Sequence, residues 1–195
     1  MAPTMWAATL YEHPVPPLQW GAVLGASLAA AVFDARARRI PNLLTFPLCA
    51  AGLGTAIAVG GWAGAADAVA ACIVLALPFV LLFVFAGGGA GDAKLMGALG
   101  TWLGIGYGTF ALMLVCLSGI VMAFAYSHAR GRSSEVLTSV CGLAKGALGP
   151  VFGSGSFRDV PGLLPPVDQG QKMPYGLAIC AGMFLAAGGS LLWHP

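Results

Sequence analysis

Two of the seven acidic residues in this 195-residue chain stand at the edges of long apolar runs. Asp34 directly follows Leu28-Ala29-Ala30-Ala31-Val32-Phe33, and Asp92 ends the run Gly87-Gly88-Gly89-Ala90-Gly91 and opens the next apolar stretch. A charge carried into a bilayer costs at least ~2.5–3.5 kcal/mol, so acids in such segments mark function. Two carboxylates at close range resist joint ionisation and share a proton. One then acts as base toward water while the other donates to a carbonyl, which is the chemistry of aspartic peptide hydrolysis. Glycines before Asp92 suit that use, because a residue without Cβ lets an extended peptide approach the carboxylate. The glycine run does not fit a phosphate loop: Lys94 is followed by Leu95, and the spacing departs from G-x-x-x-x-G-K-[ST]. Each acid also has a plainer use. Asp34 can neutralise Arg36, Arg38 or Arg39, and Asp92 can cap a helix whose N-terminal dipole favours a carboxylate. Asp67 is expected to be a cap alone, and Asp159 and Asp168 to be solvated in an irregular loop.

The elements that must position these acids follow from composition. Hydrophobic residues make up 58% of the chain and charged residues 8%, with a mean hydropathy of +0.86. A soluble domain carries about 25% charged residues. Sixteen charges cannot cover a soluble surface of this length, and disordered, collagenous and disulfide-scaffold classes fail on the same figures. The expected class is an all-α polytopic membrane protein with the lipid bilayer as its surroundings. Nucleic acid is not an expected partner, since the basic residues form no tract.

Stretches free of Asp, Glu, Lys and Arg run over His13–Phe33, Ile40–Ala66, Ala68–Gly91, Leu95–Ala129 and Met173–Pro195. A spanning helix needs about 20 apolar residues. Four stretches hold one span each. The 35-residue stretch 95–129 holds two short ones around a turn at Gly104-Ile105-Gly106-Tyr107-Gly108. Six spans result, near 17–34, 43–60, 67–86, 93–105, 109–127 and 174–193. With both termini external, every basic residue falls on the cytoplasmic side (Arg36, Arg38, Arg39, Lys94, Arg130, Arg132, Lys145, Arg158 and Lys172), as the positive-inside rule requires. Asp34 and Asp92 then share the cytoplasmic boundary, where tertiary packing can bring them together. No basic n-region of a signal peptide precedes the first span, so the whole chain is read as retained.

The chain reads as one domain, 1–195, with one longer cytoplasmic segment at about 128–172 between the fifth and sixth spans. Ser133-Ser134-Glu135 opens a candidate interfacial helix over about 135–148. Gly21/Gly25, Gly60/Gly64 and Gly100/Gly104/Gly108 have the i, i+4 spacing of close helix packing. Cys49, Cys72, Cys116, Cys141 and Cys180 form no C-x-x-C pair, and His13, His128 and His194 are isolated, so no metal site is expected.

Phe33-Asp34-Ala35-Arg36-Ala37-Arg38-Arg39-Ile40-Pro41-Asn42 resembles the first signature of the type IV prepilin peptidases, an Asp followed by basic residues and Ile-Pro-Asn. Gly89-Ala90-Gly91-Asp92-Ala93-Lys94-Leu95 is similar to their second, G-x-G-D followed by x-K-L. Met173-Pro174-Tyr175-Gly176 resembles the entry to the last span in the small tight-adherence (Flp pilus) branch. Signal-peptide peptidases and presenilins share G-x-G-D, but their partner aspartate sits in a Tyr-Asp element, whereas Asp34 follows Phe33 and precedes Ile40-Pro41-Asn42.

The resemblance implies that Asp34 and Asp92 are the catalytic pair, that Gly89, Gly91 and Lys94 shape the site, and that Ile40, Pro41 and Asn42 fix the turn leaving the first helix. It implies a multi-pass enzyme of the bacterial inner membrane, with no cofactor, that cuts Flp-type prepilins or pseudopilins after their leader. Larger members of the family carry two C-x-x-C pairs in an N-terminal cytoplasmic region and also methylate the new N-terminus. This chain has neither the pairs nor the region, so a peptidase without methyltransferase activity is expected. The alternatives are a signal-peptide-peptidase-like intramembrane protease and a small ion- or proton-coupled membrane transporter.

Overall fold

A computed structural model describes residues 15–86, 89–129 and 175–192. All regular structure among them is α-helical. The elements are α1 (Pro17–Ala37), α2 (Asn42–Ala86), α3 (Ala90–Ala129) and α4 (Tyr175–Leu192). Three helices are long and apolar enough to cross a membrane, and α4 is a shorter apolar one. Their outer faces agree with that class: Leu18, Leu43, Val59 and Trp62 are each more than four-fifths exposed, a pattern that water does not tolerate in quantity. The proposed interfacial helix over 135–148, Cys141, Asp159 and Asp168 lie outside the described residues.

Helix α2 and helix α3 are each interrupted by one glycine outside helical dihedrals, Gly61 (φ 58°) and Gly104 (φ 66°). Side chains rarely adopt positive φ, so glycine is the residue that permits each break. Both breaks fold the chain back. At Gly61 this brings Gly64 against the Ala56 carbonyl. At Gly104 the first arm of α3 runs antiparallel to the second arm of α2, with Gly97 on Cys72 and Gly100 on the Ala71 backbone, and the second arm returns parallel to it, with Gly108 on Leu75. The sequence predicts a loop over 61–66 and a turn spread across 104–108. Instead, Trp62–Ala66 and Gly106–Gly108 are helical, and each reversal contracts to a single residue. A one-residue pivot leaves the fewest backbone groups without helical partners, which an apolar environment favours.

Helix α4 runs antiparallel to the second arm of α3. Gly189 meets Phe110, Gly182 meets Val115, and Ser118 Oγ donates to the Ala178 carbonyl at 2.6 Å. The first arm of α2 lies along the first arm of α3, joined where Trp102 Nε1 donates to the Leu48 carbonyl at 2.9 Å. Close approach there depends on Gly52, where a Cβ would overlap Thr101 and the Trp102 ring. The spacing-based expectation for Gly21/Gly25 fails: both are exposed, and no described atom lies within 4 Å of a Cβ built on either. Spacing records which glycines share a helix face; it does not say that the face is covered.

Asp67 sits at the end of the molecule that holds both glycine breaks. Its expected role as a cap holds in a different form, because Oδ1 accepts the Ile105 N–H at 3.3 Å. It thus caps the arm that begins after Gly104 rather than its own helix. Asp67→Ala is expected to destabilise the protein by about 0.5–2 kcal/mol, the usual worth of a cap. Thermal unfolding in detergent measures this.

Candidate active site

Asp34 and Asp92 meet at the opposite end of the molecule. Helix α1 delivers Asp34 one turn before its end. The helix stops at Arg38, whose left-handed conformation (φ 51°, ψ 31°) lets its N–H donate to the Asp34 carbonyl at 2.8 Å. That conformation costs a non-glycine residue about 1–2 kcal/mol. It turns the chain sharply into Ile40-Pro41-Asn42, and the Pro41 carbonyl accepts from Leu44 N–H at 3.0 Å as α2 begins.

Asp34 is buried, and its Oδ2 accepts the Gly176 N–H at 2.8 Å. Arg36, Arg38 and Arg39 are exposed. The plainer role of Asp34, neutralising those arginines, is not the arrangement found. Asp92 lies in the first turn of α3, with its N–H donating to the Gly89 carbonyl at 3.2 Å. A carboxylate suits that turn for its dipole, so the position of Asp92 is compatible with both the plainer role and a role in a site. The two acids, from separate helices, lie within electrostatic reach of each other.

The remaining signature residues gather around them. A Cβ on Gly89 would sit 2.6 Å from Asp92 Oδ2, so only glycine leaves that carboxylate its place. Gly91 faces Ile40, with a Cβ position 3.1 Å from the Ile40 Cβ. The second signature therefore packs directly on the first. Lys94 Nζ donates to Asn42 Oδ1 at 3.0 Å and lies 5.8 Å from the centre of the Phe46 ring, a second tie between the two. Pro41 sits at the head of α2 and acts through its carbonyl. An apolar crevice of about 250 Å³ opens beside Ala93 and Lys94, reaching in to Cys72 and Gly97.

Sequence reasoning missed the part played by α4. Tyr175 and Gly176 entered only as a family-like entry to the last span, yet Gly176 touches Asp34 directly. Tyr175 packs edge-on against Phe79, ring centres 5.7 Å apart, and lies within electrostatic reach of Asp92. The available signal was a glycine in the first turn of a span that starts at the same boundary as both acids. Among the described residues no cluster of three or more His, Cys, Asp or Glu forms that could hold a metal ion.

The fold and site define an apolar helical membrane protein with two acids from separate helices held at one end. The model of the type IV leader peptidase family matches residues 22–124, a span that includes Asp34, Ile40-Pro41-Asn42, Gly89, Gly91, Asp92 and Lys94. The chain belongs to that family and is a peptidase, and the family implies prepilin-type substrates in general. Comparison with curated proteins and with solved structures returns no match.

Proposed function

We propose that the protein is an aspartic endopeptidase of the bacterial inner membrane that removes the leader from Flp-type prepilins at the cytoplasmic boundary, without methylating the product. The observation that carries this reading is that Asp34 and Asp92, from separate helices, lie within electrostatic reach of each other, with Gly89 leaving the Asp92 carboxylate its place. One aspartate takes a proton from water as the oxygen attacks the scissile carbonyl. The other donates a proton to the carbonyl oxygen; the first then passes its proton to the scissile nitrogen as the C–N bond breaks, and the second recovers a proton from the diol oxygen, so that leader acid and mature amine are released.

The depth of the site agrees with this substrate. A prepilin carries a short polar leader followed by a hydrophobic helix, so its scissile bond lies where water meets lipid. In this reading the helical segments on either side of Gly61 and Gly104, with α1 and α4, are six spans. Both termini are external, and the basic residues mark the side on which cleavage occurs. The apolar crevice beside Lys94 offers room for a side chain of the substrate's hydrophobic helix.

Purified protein in detergent or liposomes, incubated with a Flp-type prepilin, should yield one new N-terminus at the leader junction, read by mass spectrometry. Added S-adenosylmethionine should leave the product mass unchanged. Equal cleavage of unrelated membrane helices would overturn the prepilin assignment, and a mass gain of one methyl group would overturn the assignment as peptidase alone.

A further inference from the structure

We infer that the first turn of α4 is a positioning element of the catalytic pair, with the Gly176 N–H holding the Asp34 carboxylate in the orientation that faces Asp92. This rests on the reading of Asp34 and Asp92 as the catalytic acids and adds a third segment to that site.

The first four N–H groups of a helix have no partner within it. Gly176 is the second residue of α4, and its N–H is spent on Asp34 Oδ2 at 2.8 Å in a buried setting. Hydrogen bonds to a charged acceptor are among the stronger ones, and the N-terminal dipole of α4 adds to this one. The residue must also be small. A Cβ at 176 would lie 2.9 Å from Asp34 Cβ and 3.0 Å from Oδ2, so any side chain displaces the carboxylate.

The turn is itself anchored. The neighbouring Tyr175 lies edge-on to Phe79 at 69°, and its hydroxyl packs against the space left by Gly119. Farther along α4, Ser118 ties Ala178 to α3. One dipeptide thus reaches both acids: Gly176 bonds Asp34, and Tyr175 lies within electrostatic reach of Asp92. Asp34 and Asp92 come from helices that share few direct contacts, and α4 packs on both. With the ties of Gly91 to Ile40 and of Lys94 to Asn42, it is therefore an element able to fix their separation.

The sharpest test removes the donor while keeping the backbone shape. Glycolic acid in place of Gly176, introduced by nonsense suppression, turns the amide into an ester of the same shape. That N–H has no helical acceptor to lose, and the one change within α4 is a weaker acceptor at the Tyr175 carbonyl, at the first turn of the helix. The expected result is a fall in kcat for prepilin cleavage of about ten- to a hundredfold, the scale of a hydrogen bond to a charged group, with KM unchanged and a stability loss of about 1–3 kcal/mol that leaves the protein folded at the assay temperature. Gly176→Ala should lower kcat about a hundredfold through displacement of Asp34, while Gly188→Ala, on the same helix and against open space, should match the parent protein.

An ester variant with unaltered kcat overturns the inference, as does a loss confined to KM. These outcomes are separable from failure of the proposed function. If Asp34→Ala or Asp92→Ala still cleaves, the catalytic pair is wrong. If both are inactive and the ester variant is normal, only the role of Gly176 is wrong.

Discussion

Replacing Asp34 or Asp92 is expected to reduce prepilin cleavage by about 10²–10⁴-fold, the range contributed by a positioned acid or base. Asparagine is the sharper substitution at Asp34. It keeps the size of the side chain and an oxygen that can accept the Gly176 N–H, now 2.8 Å from Oδ2, so the helix contact survives while proton transfer is lost. Alanine would instead leave that N–H without its acceptor, at a stability cost of about 1–3 kcal/mol that clouds a rate measurement. The double variant Asp34→Asn/Asp92→Asn should be no slower than the worse single one, because residues acting as a unit lose their joint contribution once. Rates on reconstituted enzyme, with thermal unfolding as a check of folding, measure all three. Full cleavage by either single variant would remove the acid from the mechanism, and strictly multiplicative losses would show two independent roles.

The acids were legible in the sequence because each is a local anomaly, a carboxylate at the edge of an apolar run. Their placement at one end was legible from charge: the basic residues sort the ends of the helices before any packing is known. The hydrogen bond from Gly176 to Asp34 was not legible, since it joins positions 142 residues apart and leaves no periodic trace. The pivot at Gly104 was legible only to within a few residues. Gly104, Gly106 and Gly108 have equal local freedom, and the choice among them falls where Asp67 can cap Ile105 N–H, a tertiary fact. Asp67 shows the same limit from the other side. Its residue type announced a cap, but which helix it caps depends on a neighbour 38 positions away. The exposed pair Gly21/Gly25 was misread for the opposite reason, because its spacing is periodic and nothing described packs on it.

The glycines of the second signature should separate geometry at the acid from packing between the signatures. A Cβ at residue 89 would lie 2.6 Å from Asp92 Oδ2 and 3.3 Å from its Cγ. The obstructing group is the far end of a side chain, so the carboxylate swings aside and the fold absorbs the change. A displacement of about half an ångström or more at a reacting group is on the scale that costs about 10²-fold in rate. Gly89→Ala is therefore expected to lose about a hundredfold in kcat with little change in thermal stability. At residue 91 the nearest atoms belong to Ile40, at 3.1 Å for Cβ and 3.5 Å for Cγ1 and the backbone nitrogen. Relief there needs only a few tenths of an ångström, borne by the chain between α1 and α2 and not by Asp92. Gly91→Ala should lose about tenfold or less, whereas Gly91→Val, with more bulk at the same contact, should lose stability as well as rate. The order Gly89 before Gly91 in kcat, and Gly91→Val alone in unfolding temperature, is the signature of a carboxylate placed by one glycine and two segments fitted by the other. The reverse order would mean that Asp92 is positioned through Ile40, and that the space at Gly89 belongs to something other than the acid.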